Sequence, residues 1–220
     1  MNRTIVTERR VPIIGIVGGI GSGKSALAAA FTELGCTLID ADRVGHEMLV
    51  RNDVRRALVS QFGCNILDDD GRIDRPRLAA VAFADEQSTE RLNEIVGAAL
   101  WNEFRRRAQE AAARAGDAGS SGDDAPAVVL DAALLFESGM NELCDGVVFV
   151  EAPDHVRQER IQRTRGWDWE EVRRREARQF ALSRKREMAD EVVENTAGLD
   201  HLATEARRLL TLFRERRFSQ

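Results

Sequence analysis

Residues 12–25 read Pro12-Ile13-Ile14-Gly15-Ile16-Val17-Gly18-Gly19-Ile20-Gly21-Ser22-Gly23-Lys24-Ser25, and the fold turns on this stretch. Pro12 to Val17 is a short apolar run rich in β-branched residues, the signature of a strand buried on both faces. Gly18 to Gly23 can curl tightly. Lys24 to Leu34 is rich in alanine and leucine and reads as a helix that Gly35 stops. Gly18 through Ser25 also fits G-x-x-x-x-G-K-[ST] between a strand and a helix. In such a loop successive N–H groups face phosphate oxygens, and the helix start adds the positive end of its dipole. Lys24 supplies a mobile charge, and the Ser25 hydroxyl can ligate Mg²⁺. A nucleoside triphosphate is therefore the expected ligand.

Working outward, Thr37-Leu38-Ile39 is a second short strand, ending in Asp40-Ala41-Asp42. Strand, glycine loop, helix, strand opens a parallel α/β sheet. From Arg43 to about Arg114 apolar residues recur at three- and four-residue spacing, as in Leu92, Ile95, Val96, Ala99, Leu100 and Phe104, and no strong strand appears. Asp68 to Gly71 reads as a turn. Ala127–Asp131 and Gly146–Val150 resume the buried strands, and Glu191-Val192-Val193 is a weak last one. Asp154 to Arg163 and Asp168 to Met188 read as helices separated by a break at Gly166. Asp200 to Arg217 closes as an amphipathic helix with Leu202, Ala206, Leu209, Leu210 and Phe213 on one face.

The expected fold is thus α/β, a P-loop NTPase-type parallel sheet flanked by helices. Residues 11–42 and 126–217 would form the nucleotide-binding core, with a lid at about 160–176. Residues 43–115 would form a helical acceptor-binding insertion, followed by a flexible loop at 116–126.

Composition narrows the function. The 220 residues are 43% apolar and 31% charged with net charge −5, so no global basic field recruits nucleic acid or an anionic membrane. The longest near-apolar run, Val128 to Phe136, is interrupted by Asp131 and falls short of the ~20 residues that span a bilayer. Met1 to Arg10 is polar and charged, so no secretory leader is expected. Cys36, Cys64 and Cys144 are isolated, which suits a reduced cytoplasmic compartment. Of 32 basic residues only Lys24 and Lys185 are lysine, which suggests positions where a compact ammonium is needed in place of a planar fork.

Neither lysine follows an asparagine, so the N-K-x-D element that reads guanine is absent, and the chain is short for a motor ATPase. A small kinase with an inserted acceptor domain and a lid fits best. Asp42, just past the second strand, could take a proton from an acceptor hydroxyl, or could cap the helix beginning near Arg43. Asp131 could act on Mg²⁺ through water, or could be a turn aspartate. The basic run from Arg157 to Arg186 reads mostly as solvated helix faces balanced by Glu170, Glu171 and Glu176. Arg163 and Arg165, beside Gly166, are candidates for a lid arginine that stabilises transferring phosphate charge. Trp167 and Trp169 could pack the lid or cover core.

The sequence resembles the dephospho-coenzyme A kinase family. The resemblance rests on Gly18–Ser25 with Leu34-Gly35 and Ile39-Asp40-Ala41-Asp42, then Phe62-Gly63 and Asp70-Gly71-Arg72-Ile73-Asp74-Arg75 with Leu78. It continues through Leu92-Asn93-Glu94-Ile95-Val96, Leu134-Leu135-Phe136-Glu137, Gln179, Lys185, Ala189-Asp190 and Asn195. It implies transfer of the ATP γ-phosphate to the ribose 3′-hydroxyl of dephospho-CoA, with Mg²⁺ as cofactor. It further implies that Asp42 activates that hydroxyl, that Arg75 and Glu137 fall near the acceptor, and that Asn195 lies on the nucleotide side. Gly19, Ile20, Gly21, Ser22, Gly23, Lys24, Ser25 and Ala26 would hold the nucleotide. Gly97-Ala98 stands where the family usually has His-Pro, and Ala133 where it has proline. The alternatives are a P-loop kinase for another small acceptor, or an ATP-binding regulator without turnover. Small-molecule substrates are the expected partners, with no nucleic acid and no membrane.

Overall fold

The computed structural model describes residues 11–117 and 127–218. Strands β1 (Ile13–Gly18), β2 (Thr37–Asp40), β3 (Val128–Asp131), β4 (Gly146–Glu151) and β5 (Glu191–Glu194) form one sheet in the order β2-β3-β1-β4-β5. Every pairing is parallel. β1 is buried along its whole length and β4 along all but its last residue, as continuous apolar runs in a covered parallel sheet require. The chain leaves β1 toward β2 and leaves β3 toward β4 on the other side. The crevice beyond the carboxyl ends of β1 and β3 is therefore the position where open α/β sheets bind ligands.

Helix α1 (Lys24–Glu33) and the C-terminal α9 (Leu199–Phe218) share a core with the sheet. Leu27 and Phe31 of α1 meet Leu202, Ala206, Leu209 and Phe213 of α9 within it, together with Ile14, Ile16, Val148 and Val150. The apolar face read for the last helix is the buried one. The remaining helices of this part are α6 (Asp154–Arg165), α7 (Trp169–Glu176) and α8 (Leu182–Met188).

The chain divides into two compact units, Ala41–Arg106 and the remainder. The first holds α2 (Ala41–Val50), α3 (Asn52–Phe62), α4 (Arg75–Ala82) and most of α5 (Glu86–Asp117). It has its own core, Val54, Leu58, Ile66, Leu78 and Ala82, flanked by Leu92, Ile95, Val96 and Ala99. Its one trace of β structure among the described residues is an isolated bridge, Leu67 to Ile73, that closes the Asp68–Gly71 turn. The Asp68 carboxylate accepts the Asp70 and Arg72 N–H groups there.

Three readings from sequence need correction. Helix α2 starts at Ala41, so Asp42 lies inside its first turn and is not the cap of a helix beginning near Arg43. Gly116 and Asp117, expected to open a loop at 116–126, belong to α5. The alanines at 108 and 111–113 have the propensity to carry the helix on, and residues 118–126 lie outside those described. Residues 168–188 form two helices in place of one, separated at 177–181 by contacts described below. Among the described residues no helix is long and apolar enough to cross a membrane.

Candidate active site around the glycine loop

The loop after β1 is built by glycine backbone conformations. Gly21 and Gly23 have φ of 79° and 100°, a region that costs L side chains heavily. A Cβ at Gly19 would sit 2.7 Å from the Arg157 guanidinium carbon, so the loop packs closely on that side chain.

The amides of the loop divide into two sets. Among the described residues the Gly21, Gly23 and Ser25 N–H groups have no hydrogen-bond acceptor in the protein, the condition of an anion cradle at a helix start. The other set is engaged. The Ile20 N–H donates to Glu176 Oε1 at 2.7 Å, the Ser22 N–H to the Gly19 carbonyl and the Ala26 N–H to the Gly23 carbonyl. Lys24 Nζ folds back over the loop and donates to the Gly18 and Gly19 carbonyls at 3.0 and 3.1 Å.

Carbonyls on the outer side of the loop are held by side chains from α6 and the end of β5. The Ser22 carbonyl accepts from Asn195 Nδ2 at 2.8 Å and from Arg160 at 3.2 Å. Arg160 also reaches the Asn195 carbonyl at 2.9 Å. Asn195 is 4% exposed, so it touches the nucleotide side through Ser22. Because a trans peptide points its C=O and the next N–H in opposite directions, anchoring the Ser22 carbonyl aims the Gly23 N–H into the cradle.

At the crevice, Ser25 Oγ donates to Asp131 Oδ2 at 3.3 Å. Asp131 ends β3 opposite Asp40 in the sheet register, and its carboxylate faces the loop serine. A hydroxyl and a carboxylate are hard oxygen donors suited to Mg²⁺, which keeps several waters and phosphate oxygens of its own. Among the described residues there is no group of three His, Cys, Asp or Glu that could hold a metal ion. Beside the loop, a cleft of about 540 Å³ is lined by Gly19, Ser22, Glu151, Asp154, Arg157 and Thr196, among others.

Several motif residues converge on Lys185. Its ammonium donates to the Ala133 carbonyl at 2.6 Å and Gln179 Oε1 at 2.9 Å, and pairs with Glu137 Oε1 at 2.9 Å. Glu137 Oε1 also accepts the Phe180 N–H at 2.7 Å. These contacts stand where the 168–188 helix is interrupted: the chain unwinds so that Gln179 and Phe180 can reach the ion pair. The structure places Glu137 as an anchor of the α7–α8 junction.

A family profile described as Dephospho-CoA kinase matches residues 12–201. A dephospho-CoA kinase of Corynebacterium diphtheriae is 38% identical over 202 residues, covering 91% of this chain and 96% of that one. One from Bacillus thuringiensis is 35% identical over 199 residues, covering 90% and 95%. The chain belongs to the dephospho-CoA kinase family. The crystal structure of TT1252 from Thermus thermophilus is similar at 32% identity with a TM-score of 0.73, covering 92% of this chain and 97% of that one. The dephospho-CoA kinase from Campylobacter jejuni, at 19% identity and a TM-score of 0.57 over 93% and 98%, shares the fold.

Asp42 is exposed in the first turn of α2, two residues past β2, and Arg75 is exposed as the first residue of α4. Arg163 and Arg165 are exposed in the last turn of α6. Arg165 stacks on Trp167, which Arg175 also covers. The Arg163 side chain has no hydrogen bond or ion pair among the described residues.

The sequence reading missed Arg157, Arg160 and Glu176, which it left on solvated faces. Arg157 is 3% exposed. The signal was available: Arg157 lies four residues before Ile161, the buried apolar anchor of α6, so both share the inward face.

Proposed function

We propose that this protein transfers the γ-phosphate of ATP to the 3′-hydroxyl of dephospho-CoA, giving CoA and ADP. The observation that carries the reading is a phosphate cradle with its lysine, in a chain matched to the dephospho-CoA kinase family from residue 12 to residue 201. The cleft beside the loop has the size of a nucleoside site. The cradle N–H groups and Lys24 bind the phosphates, and Ser25 and Asp131 would hold Mg²⁺, which would supply positive charge against the phosphates. Asp42 accepts the proton of the attacking hydroxyl. The helical unit, with Arg75, receives the acceptor, and α7 with the end of α6 acts as the lid. Of the two lid arginines, Arg163 has the uncommitted head and is the one that reaches the transferring phosphate. A reducing cytoplasm suits the three free thiols.

Product analysis with Mg-ATP and dephospho-CoA tests the reading, with adenosine and a nucleoside monophosphate as competing acceptors. CoA and ADP should form one for one, with little transfer to the others; absence of CoA in protein that binds ATP would overturn it. Asp42→Asn should lower turnover about 10²–10⁴-fold with ATP binding nearly intact. Equal loss of both would remove Asp42 from the catalytic role. Arg163→Ala should lower kcat more than Arg165→Ala, and the reverse order would reassign the lid arginine.

A further inference from the structure

Ile20 lies at the crest of the loop between two glycines, the place where the backbone is least constrained by its own side chains. Both peptides that flank it are nevertheless held from outside. Glu176 Oε1, at the end of α7, accepts the Ile20 N–H at 2.7 Å. Arg157 Nε, from α6, donates to the Ile20 carbonyl at 2.9 Å. The two side chains also pair with each other, through Arg157 Nη2 and the same Glu176 oxygen. Asp154 takes a third Arg157 N–H at 3.0 Å, and Trp169 lies 5.1 Å from the guanidinium carbon. Arg157 is buried to 3% exposure against Gly19, so the grip is desolvated and its charge-assisted hydrogen bonds are correspondingly strong.

The geometry of a planar trans peptide carries this grip to the inner side of the loop. The Ile20 N–H belongs to the same peptide as the Gly19 carbonyl. Holding the N–H outward on Glu176 turns that carbonyl inward, where it accepts Lys24 Nζ at 3.1 Å. The Ile20 carbonyl belongs to the same peptide as the Gly21 N–H. Holding that carbonyl on Arg157 turns the Gly21 N–H toward the cradle.

We propose that Glu176 and Arg157 are positioning residues for phosphoryl transfer: a two-point clamp on Ile20 that aims the Gly21 amide and the Lys24 ammonium, and ties α7 to the phosphate loop. Neither side chain touches substrate; they act through the loop. The proposal rests on the nucleotide half of the function above, and is independent of which acceptor is used.

The test reads binding as well as turnover. Titration of Glu176→Ala with Mg²⁺ and a non-hydrolysable ATP analogue should show affinity weakened about tenfold, the effect of one charge-assisted hydrogen bond. Affinity for dephospho-CoA alone should stay at the parent value, while the melting temperature should fall, because buried Arg157 keeps only Asp154 as its partner ion. Glu176→Gln keeps an acceptor for the Ile20 N–H and loses the charge, so it should fall between. Arg157→Met should match Glu176→Ala, and the double variant should be no weaker than either single one, because the two side chains pair with each other and each loses its hold on its own Ile20 peptide once its partner is gone. In turnover assays KM for ATP should rise and kcat fall together. ATP-analogue affinity within twofold of the parent in Glu176→Ala would overturn the proposal. So would parallel loss of affinity for both ligands, or additive losses in the double variant. If the parent protein binds ATP and makes no CoA, the function above fails while the binding series still decides the clamp.

Discussion

Lys24 and Lys185 occupy positions that an arginine could not fill in the same way. In each case carbonyl or carboxylate oxygens converge on one nitrogen: the Gly18 and Gly19 carbonyls on Lys24, and Ala133, Gln179 and Glu137 on Lys185. A tetrahedral ammonium satisfies three acceptors around a point, whereas a planar guanidinium spreads its donors in a fork. The near absence of lysine from the chain thus had a structural reason at both exceptions. Lys185 is fully buried, so Lys185→Met leaves the Glu137 carboxylate without its partner ion and should destabilise the protein by about 3–5 kcal/mol. Lys185→Arg should also destabilise, by about 1–3 kcal/mol from overpacking. Adding Glu137→Gln to Lys185→Met should recover part of the loss. Urea denaturation of the three variants checks this, and a Lys185→Met midpoint equal to the parent's would show that the pair contributes nothing net.

At the scale of elements, helix ends and breaks are set by local donors and acceptors that periodicity does not report. Asp85 precedes α5 and accepts the Ser88 N–H at 2.7 Å and the Ser88 hydroxyl at 3.0 Å. Those two donors hold its carboxyl below the ordinary 3.8. A group with a depressed folded pKa stabilises above its unfolded pKa and loses that contribution as pH falls through the folded value. Asp85→Ala should therefore lower the melting temperature at pH 7, and the gap from the parent should close as pH drops below about 4. A gap that persists unchanged at low pH would mean the carboxylate is not the source. The strands and α1 were legible because buried β-branched runs and a glycine loop are local signals. The break at 177–181 was not, since it is imposed by Glu137, some forty residues upstream. Likewise Ser25, Lys24 and Asp131 could be read from motif and strand end. Glu176 could not, because the arginines around it made it look like one more solvated counter-charge, and its partner Ile20 lies 156 residues away.

For the molecule as a whole, the decisive feature is that each compact unit contains a hydrophobic cluster of its own. One core belongs to the sheet with α1 and α9; the other is made by α3, α4 and the first half of α5. Stability held in separate apolar clusters can be lost separately, since proteins open in cooperative units that follow their contact density. Leu58 is fully buried in the helical core, and Leu58→Ala should remove about 2–5 kcal/mol from that unit through lost burial and the cavity left behind. Hydrogen exchange followed by mass spectrometry should then show faster exchange across α3, α4 and residues 86–100, with the amides of β1, β3 and β4 still protected to the parent level. Phe213→Ala, in the sheet core beside Gly146, should give the opposite pattern. A uniform rise over both units in either variant would mean that the chain unfolds as one cooperative body. The helical unit would then lack the independence that its own core implies.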